Sequence, residues 1–391
     1  MNKPGWAVRL GLFGLILGLG TLAALIVGGA PGLALAELSG APVQALAGAA
    51  RADVLVAALG GEASSAGIYR SDDRGITWQR VGPGPGGSVR ALAVHAAGET
   101  SLVAASRLGM ARLWRSDDAG RTWQVILPGR LPEVTALAVV PGQPHGLVVG
   151  TAGQGLFRVD TEQGHYQRLG GAALSQADVK LLAVASDGRV YAQTQDGLFA
   201  SQGAAWKSLP VPEMAASLAL DPHDPQTLYA GGVSTGIFRS TDGGRSWQAS
   251  SQGLGAAPGA ALRVTALAVD EEQPGHLVAA VAYGLGNQFA PGDVYESRDA
   301  GQSWTSLGRS QALVSQLVAG QGVVYAAGPG GLARYGNAIG PSALIRPRWR
   351  SLASPNGLQV LILALTLALA GLALMGRTGW LIQSRARTIQ S

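Results

Sequence analysis

The 391-residue sequence has no cysteine. That excludes a disulfide framework, a thiolate nucleophile, an iron–sulfur centre and a lipidated cysteine. Charge is scarce as well, at 14% of residues, and lysine is almost missing: Lys3, Lys180 and Lys207 are the only three. The net charge of +5 therefore rests on arginine. No long Lys/Arg run interleaved with aromatics occurs, so nucleic acid is not an expected partner. Glycine is abundant, at 58 residues, and falls at recurring positions rather than in low-complexity tracts.

The recurrence is a motif, Ser-x-Asp-x-Gly-x-Thr/Ser-Trp. It appears at Ser71, Asp73, Gly75 and Trp78; at Ser116, Asp118, Gly120 and Trp123; at Ser240, Asp242, Gly244 and Trp247; and at Ser297, Asp299, Gly301 and Trp304. Each copy follows a short apolar strand and opens another, so it reads as the turn of a β-hairpin. The Asp accepts hydrogen bonds from turn N–H groups, and the Gly supplies a positive φ. The Trp carries a large apolar area that neighbouring sheets must cover.

A longer repeat of about 40–57 residues surrounds the motif. Its first strand is rich in small apolar residues and recurs seven times, at 43–47, 89–94, 134–139, 179–184, 215–220, 264–269 and 314–319. Second and third strands follow each one. A fourth opens on an aromatic: Trp78, Trp123, Tyr166, Trp206, Trp247, Trp304 and Trp349. Units three, four and seven keep the strands and lose the motif. Seven four-stranded units of this size predict an all-β fold, a seven-bladed β-propeller over residues 42–352, with the aromatics as packing between blades.

Two apolar runs flank the repeats. Residues 10–30 contain Thr21 as the single ordinary polar side chain and follow Lys3 and Arg9. They read as a transmembrane anchor within residues 1–36, or as a signal segment cleaved after Ala34-Leu35-Ala36. Residues 358–375 are interrupted only by Gln359 and Thr366, and Arg377, Arg385 and Arg387 follow. This predicts a C-terminal transmembrane helix over 357–376, with 377–391 as a basic cytoplasmic tail and the propeller on the extracytoplasmic side of the cell membrane.

Meander topology then divides the propeller into two faces. Turns between strands one and two, and between three and four, lie on one face with the motifs. Turns between strands two and three, and the links between blades, lie on the other. Both chain ends leave from this link face, so it is expected to look at the bilayer. The longest irregular stretches, residues 283–293 and 250–262, belong to the link face of adjacent blades. Tyr283, Asn287, Gln288 and Phe289 are accordingly the candidate contacts to a partner.

The motif resembles the BNR/Asp-box repeat of sialidase-like β-propellers. The resemblance covers four full motifs and, more loosely, the whole repeat region. In that family the boxes lie at the blade rim, away from the active site, so Asp73, Asp118, Asp242 and Asp299 are expected to be structural. Sialidases also need an arginine cluster, a Tyr nucleophile paired with a carboxylate, an Asp acid/base and a Phe/Tyr-Arg-Ile-Pro motif ahead of the repeats. The sequence has no such motif. At the second position of each first strand stand Gln44, Arg90, Thr135, Lys180, Ala216, Thr265 and Ser315, a channel-lining ring with two cations, Arg90 and Lys180, and no carboxylate pair.

His95, His145, His223 and His276 fall in first turns of separate blades, without metal-ligand spacing. No cofactor and no metal are expected. The sequence is also similar to photosystem II stability/assembly-factor propellers, from which it departs in its C-terminal apolar run. The implied function is a non-enzymatic scaffold that binds or assembles a membrane protein complex. The alternative is a surface glycan-binding protein or a diverged glycosidase.

Overall fold

The computed structural model describes residues 33–34, 41–48, 54–60, 66–81, 88–95, 101–108, 110–118, 120–131, 133–255, 260–285, 288–320 and 322–336. They form seven antiparallel sheets and one helical turn, Gly171–Leu174. Sheet 1 spans 33–80, sheet 2 88–131, sheet 3 134–169, sheet 4 179–209, sheet 5 215–249, sheet 6 261–309 and sheet 7 316–336. Apart from one added strand in sheet 1, strand order follows chain order within every sheet, which makes each a meander.

The expected all-β propeller of four-stranded blades is present, with differences at its two ends. Six sheets carry four strands or more, and sheet 7 carries three among the described residues. The fourth strand expected at Trp349 lies outside the described residues. Sheet 1 has a fifth strand, Leu33–Ala34, which pairs antiparallel with the outer strand Thr77–Arg80. Both apolar runs also lie outside the described residues. Among the described residues no helix is long and apolar enough to cross a membrane.

Burial explains the composition of each strand. Second strands lie between neighbouring sheets on both faces, so Leu55–Leu59, Gly146–Thr151, Val190–Thr194, Leu228–Gly232 and Val323–Gly328 are buried throughout. Strands covered on both sides read as continuous apolar runs rather than alternations. Second strands take Gly where the first strand of the next sheet packs close: a Cβ on Gly150 would stand 2.6 Å from Val179, and one on Gly231 2.6 Å from Val264.

Seven apolar clusters hold the ring together, one at each sheet–sheet interface. Closure between sheets 7 and 1 uses Val323, Tyr325 and Leu332 against Val43, Leu55 and Trp78. Gln316 seals the same seam. Its amide nitrogen donates to the Gln44 carbonyl at 3.1 Å, and its oxygen accepts from the Leu46 N–H. Thr135 and Ser217 make equivalent links to the carbonyls of Val179 and Val264, at 2.6 and 3.0 Å.

Candidate functional site

The motif turns are locked from within. In sheet 5 the Ser240 hydroxyl donates to Asp242 at 2.8 Å and accepts the Gly244 N–H at 2.8 Å. Asp242 also accepts the N–H groups of Arg245 and Ser246, each at 2.9 Å, and the Ser246 hydroxyl at 2.7 Å. The Trp247 indole N–H closes the turn on the Gly244 carbonyl at 3.1 Å. Sheets 1 and 2 repeat the pattern around Asp73 and Asp118. Hydrogen bonds from the Thr122, Ser246 and Ser303 hydroxyls, then from their backbone N–H groups, hold the carboxyls of Asp118, Asp242 and Asp299 down at about 2. A carboxylate so fixed is a turn acceptor and a poor proton donor.

Sheet 6 departs from the pattern at its tryptophan. Trp304 donates to the Ser250 carbonyl of sheet 5 at 2.7 Å, and the Ser250 hydroxyl donates to the Gly301 carbonyl at 2.5 Å. Tyrosines of the preceding sheet make a second link that the sequence pattern did not reveal. Tyr229 donates to the carbonyl of Ala300 at 3.2 Å, and Tyr325 to that of Arg74. Ala300 and Arg74 both have positive φ, 58° and 59°, just before the motif glycine. The turns therefore act as latches between neighbouring blades.

The opposite, link face carries the channel mouth. Six first strands shift register in their leading half, between Val43/Ala45, Val89/Ala91, Val134/Ala136, Val179/Leu181, Ala215/Ser217 and Val264/Ala266. The bulged residues are Gln44, Arg90, Thr135, Lys180, Ala216 and Thr265, which were the sequence-derived channel ring. Bulges of this kind re-aim side chains and recur beside functional sites.

Arg90 and Lys180 have carboxylate neighbours that the ring of second positions left out. Arg90 lies 3.9 Å from Glu133, and Lys180 pairs with Asp178. A third acid, Glu213, accepts the N–H groups of Ser234 and Thr235 at 3.2 and 2.9 Å, and both their hydroxyls. Burial opposes the Glu213 charge, but these hydrogen bonds outweigh it and keep the carboxyl below its ordinary range. All three acids stand one or two residues ahead of a first strand, in sheets 3, 4 and 5. Asking what precedes each first strand would have found them.

The stretch 283–293, expected as a loop, is instead a raised β-hairpin. Strands Leu277–Leu285 and Gln288–Ser297 extend the pairing through Tyr283↔Ala290, Gly284↔Phe289 and Leu285↔Gln288. The first strand, Ala261–Val269, lengthens to match, with Ala261↔Gly284 and Leu262↔Tyr283. Alternation of Val, Tyr and Phe with small residues favours strand over loop.

The four candidate contact residues separate in this hairpin. Tyr283 packs onto the core shared by sheets 5 and 6; burial, then the neighbouring Tyr295 hydroxyl, pushes its phenol up to about 12. Gln288 and Phe289 are exposed, and the Arg263 guanidinium sits 5.0 Å above the Phe289 ring. Asn287 lies outside the described residues. Among the described residues the exposed large apolar side chains are Val125, Tyr166, Met214, Phe289 and Leu313. Met214, Phe289 and Leu313 belong to the link ends of sheets 5, 6 and 7, which are neighbours in the ring.

Of the histidines, His276 is buried, with Nδ1 2.9 Å from Asp270 and Nε2 3.4 Å from Glu296. His145 stands 3.5 Å from Glu162 in sheet 3. Among the described residues no group of three or more His, Asp or Glu side chains is arranged to hold a metal ion.

Residues 68–81, the first motif turn with its flanking strands, match the BNR-Asp box repeat. The chain carries a BNR-Asp box repeat. No curated protein sequence matches this Asp-box propeller. Solved structures share its fold at low identity. A GH74 xyloglucanase from Xanthomonas campestris superposes with a TM-score of 0.61 at 20% identity, over 80% of this chain and 54% of that one. The Asp-box propeller thus spans about half the length of that enzyme. YCF48 from Cyanidioschyzon merolae gives a TM-score of 0.55 at 12% identity, over 79% of this chain and 99% of that one. The extracellular domain of a hybrid two-component system from B. thetaiotaomicron gives 0.56 at 13%, over 78% and 39%.

Proposed function

We propose that this chain is a membrane-anchored, extracytoplasmic propeller that performs no reaction of its own. It docks an extracytoplasmic segment of a membrane protein complex on its link face. The observation that carries the reading is the exposure of Met214, Phe289 and Leu313, among the described residues, at the link ends of three adjacent sheets. Aromatic and Met side chains grouped at a rim are the usual anchors of protein interfaces.

Chain geometry supports a partner held by the bilayer. The first strand of sheet 1 begins on the link face, and the fourth strand expected for sheet 7 would end there. With residues 10–30 and 358–375 as anchors, this face looks toward the membrane. The fold likeness to YCF48, 99% of whose chain is covered by the superposition, is consistent with the reading.

In mild detergent the chain is expected to co-migrate with a larger assembly, and Phe289→Asp with Leu313→Asp to release it. A wild-type chain that migrates alone, with its anchors intact, contradicts the proposal.

A second reading follows from the acidic arc and the fold likeness to GH74 enzymes. Glu133 and Asp178 would then serve a saccharide at the channel mouth. Their pairing with Arg90 and Lys180 competes for the carboxylate oxygens that a sugar would use, which weighs against it. Hydrolysis of a β-glucan that disappears in Asp178→Asn would favour this reading over the first.

A further inference from the structure

In sheets 1, 3, 4 and 5 the second strand ends opposite the residue that opens the first. Leu59 faces Val43, Thr151 faces Val134, Thr194 faces Val179 and Gly232 faces Ala215. Sheets 2 and 6 run on past that level. In sheet 2 Ser106 holds the equivalent place, opposite Val89, and Arg107 and Leu108 continue the strand. At about 3.3 Å per residue, this raises the blade by roughly 7 Å at its link end. The returning strand, Met110–Ser116, pairs Met110 with Leu108, Ala111 with Arg107 and Arg112 with Ser106. The fourth strand, Gln124–Leu131, rises with it and pairs Leu131 with Ala111.

The two raised ends differ in chemistry. Sheet 6 uses its cations internally: Arg263 lies 5.0 Å over the Phe289 ring, and Arg309 donates to the Pro291 carbonyl at 3.3 Å. Sheet 2 carries Arg107, Arg112 and Arg130 within residues 102–114 and 124–132, and neither stretch contains Asp or Glu. Arg112 is exposed, and among the described residues no acid pairs with it. Register puts Leu108, Met110 and Arg112 on one face of the hairpin, and Arg107 and Ala111 on the other. The apex is thus Leu and Met, with arginine on both faces behind it.

We propose that the sheet 2 apex rests on an anionic bilayer surface, its arginines on lipid phosphates and Leu108 and Met110 at the boundary of headgroups and acyl chains. The inference rests on the reading that the link face looks at the membrane. A projecting hairpin has no concave wall to grip a folded ligand, but a soft surface can receive it. Phosphate oxygens match guanidinium forks, and the acyl boundary below them takes apolar side chains. A negative leaflet attracts cations held within a Debye length of it.

The chain has no cysteine, so a single site can be labelled. Met110→Cys and, separately, Arg298→Cys in the sheet 6 motif turn would carry an environment-sensitive dye. The full chain is reconstituted in vesicles without other protein, and lipids spin-labelled at the top of the acyl chain quench the dye on contact. In phosphatidylcholine with about a third phosphatidylglycerol, quenching at position 110 is expected to exceed that at 298 at least threefold. Arg107→Ala, Arg112→Ala and Arg130→Ala together, or high salt, should remove most of the excess, and Lys at the three positions should retain it. Thermal unfolding of the labelled chains checks that they are folded.

Equal quenching at the two positions overturns the inference, and so does quenching at 110 that is as strong in phosphatidylcholine alone. A dye at 110 that responds as strongly to soluble polyglutamate would assign the apex to an acidic protein segment and overturn it as well. Quenching at 298 in place of 110 contradicts the link-face reading too. Absence of quenching at both positions overturns the lipid contact alone, because docking is read separately by co-migration with a larger assembly.

Discussion

Sheets 3 and 6 solve the same turn problem with different groups. In sheet 6 the link between the third and fourth strands is an Asp-box, and Asp299, Ser297, Ser303 and Trp304 are all engaged in holding it. In sheet 3 a plain turn does that work through Asp160 Oδ1, which accepts the Glu162 and Gln163 N–H groups, and through the Gly164 N–H, and the side chains that follow remain at the surface. The box consumes its own chemistry, whereas the plain turn leaves side chains available. A residue type that recurs at every blade rim is therefore a poor guide to function in this fold. The blades that break the repeat are the better place to look.

The comparison is broken most severely through the motif glycine. Gly75 has a φ of 71°, and a Cβ there would lie 2.7 Å from the Tyr325 ring. Gly75→Ala combines backbone strain with a clash at the closing seam and is expected to cost about 3 kcal/mol in urea unfolding. Gly153→Ala, in a plain turn of sheet 3 with a φ of 75° and nothing within 4 Å of an added Cβ, should cost less. An equal loss at the two sites would mean that packing against the tyrosine contributes nothing.

Asp299→Ala removes three hydrogen bonds from an exposed turn and is expected to cost roughly 1 kcal/mol after solvent screening. The loss carries a pH signature. The Asp299 carboxyl is held at about 2, below its ordinary 3.8. Its contribution is therefore complete above about pH 4 and fades as pH falls toward 2. The stability gap between wild type and Asp299→Asn should be full at pH 5 and reduced to about a third at pH 2.5.

Tyr229→Phe deletes the hydroxyl that reaches the Ala300 carbonyl, at an expected cost of about 1 kcal/mol. Tyr166→Phe removes an exposed hydroxyl and should shift stability by less than about 0.5 kcal/mol. The smallest effect has the opposite sign. Ala300 holds a φ of 58°, so Ala300→Gly is expected to stabilise by roughly 0.5 kcal/mol, the relieved strain exceeding the added chain entropy. Destabilisation in thermal melts would show that the Ala300 methyl packs more favourably than its backbone angle costs.

The propeller and its repeat were legible because period-2 apolar strands and the Asp-box turn are local signals. Each motif Asp bonds within its own turn, a relation of the same local kind. What the sequence hid was contact between repeats. Tyr229 and Tyr325 read as strand fillers because their partners lie 71 and 251 residues away. Glu133, Glu213, Met214 and Leu313 converge only when the ring closes. Tyr283 was grouped with Gln288 and Phe289 by proximity in sequence, yet hairpin pairing turns it onto the core. The raised hairpin itself was masked by its Gly and Pro residues, which resemble loop composition although Val281, Tyr283 and Phe289 carry strand propensity.

The account depends most on which face of the ring meets a partner. A photo-crosslinking amino acid placed at Phe289, and in a separate chain at Arg298 on the box face, tests this directly in native membranes. Arg298 is exposed and paired only with Glu296 of its own blade among the described contacts. A discrete protein adduct from position 289, with none from position 298, is the predicted result. Adducts from position 298 alone, or from neither, would contradict docking through the link face.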